Sequence, residues 1–92
     1  MLDHSNANIV VEEKRLLSEG STIEMAVWEL PHVTSERPHG YKYRLNYSLA
    51  DGTTLVRYDN KTGKGDHKHI LGVESPYTFE TVPQLMIDSS MM

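Results

Sequence analysis

The sequence contains no cysteine and only one tryptophan and one phenylalanine among its 92 residues. The missing thiols exclude disulfides, thiolate zinc sites and cysteine-nucleophile chemistry. No apolar run approaches the ~18 residues that a membrane-spanning helix needs. The N-terminus lacks the basic-then-apolar profile of a secretion signal, so the cytoplasm is the expected compartment and no membrane partner is expected. Length is also scarce. There is room for one core, so residues 1–92 read as a single domain, with 1–7 expected to be flexible. A chain this short buries only about two-thirds of the surface that its unfolded form exposes, so a protein partner or a homodimer would add stability.

What is present is unevenly spread. The formal net charge of −4 argues at face value against a nucleic-acid partner. Yet residues 1–36 carry seven acids against two bases, residues 37–71 carry seven bases against three acids, and residues 72–92 carry three acids and no base. Four of the five histidines, His32, His39, His67 and His69, also lie in residues 32–69. The argument against nucleic acid therefore lapses for residues 37–71, and the acidic flanks suit a basic partner.

The stretch Tyr41-Lys42-Tyr43-Arg44-Leu45-Asn46-Tyr47-Ser48-Leu49 alternates apolar and polar side chains, the period of a strand with one buried face. Asp51-Gly52 follows and predicts a two-residue type I′ turn, which needs positive φ at both central residues. The returning strand is Thr53 to Asp59. This register sets Tyr47 opposite Val56 and Leu45 opposite Tyr58 on an apolar face. It sets Asn46 opposite Arg57 and Arg44 opposite Asp59 on a polar one. Asn8 to Leu17 and Ser21 to Leu30 predict a second hairpin around Glu19-Gly20, with stripes Ile9/Val11 and Ile23/Met25/Val27 interrupted by Val10. Pro31 to Gly40 reads as a connecting loop, and Asn60 to Gly65 as a glycine-punctuated one. Thr81-Val82-Pro83-Gln84 matches a capping box that starts a helix through Leu85, Met86 and Ile87. Trp28, Phe79 and the four tyrosines Tyr41, Tyr43, Tyr47 and Tyr58 read as core, and Met86, Met91 and Met92 as the apolar side of the last helix. The fold class expected is α+β: a mainly antiparallel β-sheet of four or five strands, built from two hairpins, with a short C-terminal helix.

The densest chemistry lies in Gly63-Lys64-Gly65-Asp66-His67-Lys68-His69. Gly63 and Gly65 permit close backbone approach to an anion, and Lys64 and Lys68 add charge. An extended backbone puts His67 and His69 on one face, and a neutral and a protonated imidazole together can cleave RNA by 2′-OH attack. The rival use of the segment is a solvated loop whose histidines cap backbone groups. A metal site is a further rival, with Asp66 or His39 as extra ligands, but nothing in the spacing supplies a full ligand set. No metal and no cofactor is assigned. On the hairpin's polar face, Lys42, Arg44 and Arg57 can contact phosphate, or form an ordinary solvent face with Arg44 neutralised by Asp59.

His39-Gly40-Tyr41-Lys42-Tyr43-Arg44-Leu45, Arg57-Tyr58-Asp59-Asn60, Gly63-Lys64-Gly65-Asp66-His67-Lys68-His69 and Pro76-Tyr77-Thr78-Phe79 together resemble the TumE-type toxins over roughly residues 8–88. Family members continue with a longer terminal helix than Ser89-Ser90-Met91-Met92 allows. The resemblance implies the toxin of a type II toxin–antitoxin pair, partnered by a helix-turn-helix antitoxin and inhibiting translation or cleaving RNA. Combined with the residue chemistry, it gives a metal-independent endoribonuclease in which His67 and His69 share acid and base roles. Arg44, with Arg57 or Lys64, would stabilise phosphate charge, Tyr58 would orient substrate, and Asp59 or Asp66 would fix an imidazole tautomer. The alternative is a non-catalytic module that grips nucleic acid or protein through the basic loop.

Overall fold

The computed structural model describes residues 7–61 and 63–90, so the flexibility expected of the N-terminus and the placement of Met91 and Met92 lie outside the described residues. Six strands form one antiparallel sheet: β1 (Asn8–Leu16), β2 (Thr22–Glu29), β3 (Tyr41–Ser48), β4 (Thr54–Asp59), β5 (His67–Ile70) and β6 (Val73–Pro76). Helix α1 (Val82–Ser90) follows them, the one helix among the described residues. Spatial order equals chain order, β1 through β6, with every neighbour antiparallel. The sheet is thus larger than the four or five strands expected, because β5 and β6 make a third hairpin.

That hairpin turns on Leu71-Gly72, both with positive φ (52° and 84°), which is the type I′ geometry. Leucine carries none of the turn signal that asparagine would, so the turn is silent in the sequence. At Asp51-Gly52 the expectation of a type I′ turn is corrected. Only Gly52 has positive φ there, and Leu49 N–H bonds Thr53 C=O while Gly52 N–H bonds Leu49 C=O. This is a three-residue loop, Ala50-Asp51-Gly52, with Asp51 Oδ1 accepting from Thr53 N–H at 2.9 Å. The longer loop shifts pairing by one residue, and an irregularity between Tyr47 and Ser48 restores it. The body of the hairpin pairs Arg44–Asp59, Leu45–Tyr58, Asn46–Arg57 and Tyr47–Val56, as the side-chain pattern requires.

The first hairpin repeats the device. Its loop is Ser18-Glu19-Gly20, and a register shift falls between Ile9 and Val11. Val10 is the extra residue, which explains its broken alternation. Ile9 pairs Trp28 while Val11 pairs Val27, so the two do not share the stripe expected of them.

One sheet face is apolar. Val27, Tyr43, Leu45, Val56, Tyr58 and Leu85 form the buried core, with Met25, Tyr41, Tyr47, Tyr77, Phe79, Val82 and Met86 packed around it. Trp28 is not core: it lies on the opposite face, with the Lys42 ammonium 5.2 Å from its ring. Leu49, at the start of the loop, is exposed. Helix α1 starts at Thr81, whose Oγ1 accepts from Gln84 N–H at 3.1 Å, half of the expected box. Gln84 Nε2 donates forward to Asp88 Oδ1 instead of back to the cap. The cap contributes about 1 kcal/mol, while full burial of Leu85 contributes roughly 2–3 kcal/mol, so packing holds this nine-residue helix more than its cap does. Two tyrosines tie its end down: Tyr77 donates to Asp88 Oδ2 at 2.6 Å, and Tyr58 to Asp88 C=O at 3.3 Å.

Replacing Leu71 by asparagine, which tolerates positive φ, is expected to raise stability by about 0.5–1 kcal/mol in urea denaturation. The Asp88 carboxyl is held below its ordinary value of 3.8, chiefly by the Tyr77 hydroxyl and then by the Gln84 amide. A carboxyl depressed in the folded state stabilises above its unfolded value and loses that contribution as pH falls through the folded one. The acid limb of the pH–stability curve, measured by denaturation midpoints below pH ~4, is therefore expected to be shallower in Asp88→Asn than in the parent.

Candidate functional site

The face opposite α1 is polar, and the register sets its side chains in rows that cross the strands. One row runs Ala26, Arg44, Asp59, His67, Pro76; the next runs Glu24, Asn46, Arg57, His69, Glu74. Among the described residues no helix packs on this side. Beside the β4–β5 connection a cavity of about 440 Å³ is lined by Arg57, Asp59, Lys61, Gly63, Lys64, His67 and His69.

The two imidazoles share the face, with ring centroids 5.3 Å apart and nearly perpendicular. Their surroundings differ. His67 is buried, and its Nδ1–H donates to Gly65 C=O at 2.9 Å, because a carbonyl can only accept. Its Nε2 therefore faces the cleft. Asp59 Oδ1 lies 2.7 Å from that nitrogen, an ion pair when the ring is protonated, and among the described residues no hydrogen bond reaches this buried oxygen. Asp59 Oδ2 is 3.9 Å from the Arg57 guanidinium. His69 is the more accessible ring, with 31% of its side chain exposed, and its Nε2 sits 3.9 Å from Glu74 Oε1. Lys64 Nζ approaches Glu74 Oε2 at 3.4 Å.

The remaining expected residues fall on both sides of this cleft. Arg44 is exposed in the neighbouring row, where Asp59 turns toward His67 and Arg57, so Arg57 is the arginine that lines the cavity. Lys42 also lies on the polar face. Its ammonium is held below its ordinary value first by burial and then by the Arg37 charge, with Arg44 adding and Asp59 opposing. Tyr58 and Lys68 pair with each other on the opposite, helix-covered face. Tyr58 is buried with its hydroxyl on Asp88, so the substrate-orienting role expected of it has no geometry here. Gly63 N–H is taken by Glu36 Oε2 at 3.1 Å, and Gly65 serves His67 through its carbonyl.

Asp66 does fix an imidazole tautomer, but that of His39. Asp66 Oδ2 lies 2.9 Å from His39 Nε2 and accepts from Tyr43 Oη at 2.7 Å, while His39 Nδ1 accepts from Tyr41 N–H. His39 therefore carries its proton on Nε2. Phe79 stacks on the ring at 4.0 Å, and burial, then Asp66, push the Tyr43 hydroxyl far above its ordinary range. This pair stands apart from the His67–His69 cleft and is structural. Beside it, buried Asn60 extends the β3–β4 ladder with its side chain: Oδ1 accepts from Tyr43 N–H, and Nδ2 donates to Tyr41 C=O. Arg37 then donates to Asn60 C=O at 2.8 Å and ties in the 31–40 loop.

Sequence reasoning missed Glu74, which joins His67 and His69 as a group whose ligand atoms lie within 4.8 Å of one another. Extending a two-residue turn over Leu71-Gly72 would have paired it with His69, as the structure does.

The fold is a small meander sheet with a basic, imidazole-bearing cleft on its open face. The sequence profile described as Toxin TumE matches residues 4–89, and the chain belongs to that toxin family. No curated protein and no solved structure matches the chain significantly. Among the described residues, no helix is long and apolar enough to cross a membrane.

Replacing Asn60 by alanine leaves Tyr43 N–H and Tyr41 C=O without partners. The expected cost is about 2–3 kcal/mol, read as a lower denaturation midpoint, because unmade buried hydrogen bonds cost their desolvation.

Proposed function

We propose that this TumE-family chain is the toxin of a type II toxin–antitoxin pair and acts in the cytoplasm as a ribonuclease-like inhibitor of translation. The observation that carries the reading is the convergence of Arg57, Lys61, Lys64, His67 and His69 on one open cavity. Phosphodiester cleavage by 2′-OH attack needs a base for the hydroxyl proton, an acid for the departing 5′-oxygen, and cations for the charge that develops on phosphate. His69, half-buried and unclamped by backbone, takes one proton-transfer role. The cleft-facing Nε2 of His67 takes the other, with Asp59 beside it to stabilise the imidazolium that forms. Arg57 offers the planar donor fork that matches a phosphate, and Lys61 and Lys64 add field at the rim. Burial first, and then the charges of Arg37 and Arg44, hold the Lys42 ammonium below its ordinary value, and the charge part of that effect is repulsion that a polyanion on the adjoining face relieves. Bond-making and bond-breaking balance without a co-reactant: the 2′-oxygen bonds phosphorus, the 5′-oxygen leaves with a proton, and a 2′,3′-cyclic phosphate remains.

The acidic β1–β2 edge, with Glu12, Glu13, Glu19, Glu24 and Glu29, complements a basic helix-turn-helix antitoxin. It lies at the far side of the sheet from the cleft.

Purified protein incubated with RNA is expected to cleave it equally with and without chelator. His69→Ala and His67→Ala are each expected to slow cleavage at least ~100-fold while circular dichroism stays that of the parent. Undiminished cleavage by the double variant would sink the assignment. RNA bound but never cut would replace it with the non-catalytic binding module.

A further inference from the structure

We infer that His67, His69 and Glu74 form a binding site for a divalent transition-metal ion of the zinc type. Two imidazoles and one carboxylate, leaving a coordination position open, are a ligand set that zinc accepts without needing a thiolate. The three come from adjacent strands, β5 and β6, where His69 and Glu74 are register partners, so the sheet itself fixes their spacing. Glu74 Oε2 lies 4.0 Å from His67 Nε2, and Glu74 Oε1 lies 3.9 Å from His69 Nε2. Metal–ligand bonds of about 2.0–2.2 Å place neighbouring ligand atoms ~3.4 Å apart in a tetrahedron. The three ligand atoms lie within 4.8 Å of one another, so side-chain movements of about an ångström would close the site.

Two further observations point to a cation. A metal-binding histidine characteristically donates its other ring N–H to a carbonyl or carboxylate, which sets the tautomer and aims the lone pair. His67 does so, with Nδ1–H on Gly65 C=O at 2.9 Å, and Gly65 holds that carbonyl in place with a φ of 72°. The second is Asp59 Oδ1, buried, without a hydrogen bond, and 2.7 Å from His67 Nε2. In the neutral ring two lone pairs meet there. A metal on Nε2 removes the conflict as a proton does, and a water on that metal gives Oδ1 the donor it lacks. Meanwhile the Lys64 ammonium, 3.4 Å from Glu74 Oε2 on an exposed side chain, is the cation that an incoming metal displaces.

The metal would occupy the ring nitrogens through which the cleft exchanges protons, so its binding switches cleavage off. That consequence rests on the proposed ribonuclease reading; the site itself does not.

Isothermal titration of the whole chain with Zn²⁺ is expected to show one ion per protomer. Glu74→Gln, at an exposed position, and His69→Ala are each expected to weaken binding at least tenfold, while Lys68→Ala, on the other sheet face, leaves it unchanged. Co²⁺ is expected to give the intense visible bands of a four- or five-coordinate ion. Unchanged affinity in both ligand variants, or only the pale spectrum of hydrated Co²⁺, overturns the site and leaves the ribonuclease reading standing. In the RNA assay, the Zn²⁺ concentration for half-inhibition is expected to rise at least tenfold in Glu74→Gln. Cleavage that requires Zn²⁺ would instead uphold the site and overturn the metal-free mechanism.

Discussion

The pairing of β3 with β4 is the constraint on which the rest of the molecule depends. Because side chains alternate across a strand, a slip of one residue would exchange the two faces. Leu45, Tyr47, Val56 and Tyr58 would meet water, and Arg44, Asn46, Arg57 and Asp59 would meet helix α1. Burying charged groups without partners costs several kcal/mol each, far more than any turn preference is worth. The loop at Ala50-Asp51-Gly52 consequently adapts to the pairing, and a local irregularity near Ser48 absorbs the mismatch. The first hairpin obeys the same priority at Val10. Both loops come to lie at one end of the sheet, where a Cβ on Gly20 would stand 2.9 Å from that of Ala50.

A meander in chain order turns a linear charge pattern into a spatial one. The acidic first segment becomes the β1–β2 side of the sheet, and the basic, histidine-rich middle becomes its centre and the β4–β5 side. The same ordering hands the polar face a graded row: Asn46 and Arg57, then His69, then Glu74. The basic and imidazole groups of the cleft collect on the face that α1 leaves open, while α1 uses its apolar side and the Tyr58 and Tyr77 hydroxyls to seal the other. Rigidity and access are thus divided between the two faces of a thin sheet.

The parts of the site legible in the sequence were those carried by period-2 alternation. His67 and His69 on one face, Arg57 beside Asn46, and Asp59 at the end of β4 all follow from it. Residues whose roles depend on loop conformation were not legible. Gly63 looks like a phosphate cradle until the chain returns and Glu36 takes its amide; Gly65 looks the same until its carbonyl turns onto His67. Tyr58 and Lys68 sit within the basic stretch but one residue out of phase with the cleft. Glu74 was hidden because Leu71 adopts a left-handed conformation that leucine does not advertise.

By itself, the sequence determined an antiparallel α+β architecture, the register of its central hairpin, the helix start at Thr81 and the concentration of basic and imidazole groups between residues 37 and 71. Those follow from local periodicity, capping and composition, which act over a few residues. Only the tertiary structure decided that the sheet has six strands and that Asp66 serves His39. It likewise decided that Arg57 rather than Arg44 shares the cavity with the histidines, and that Glu74 completes their cluster. Each of these depends on where separate segments meet, and that is set by long-range pairing and by the single face that α1 can cover.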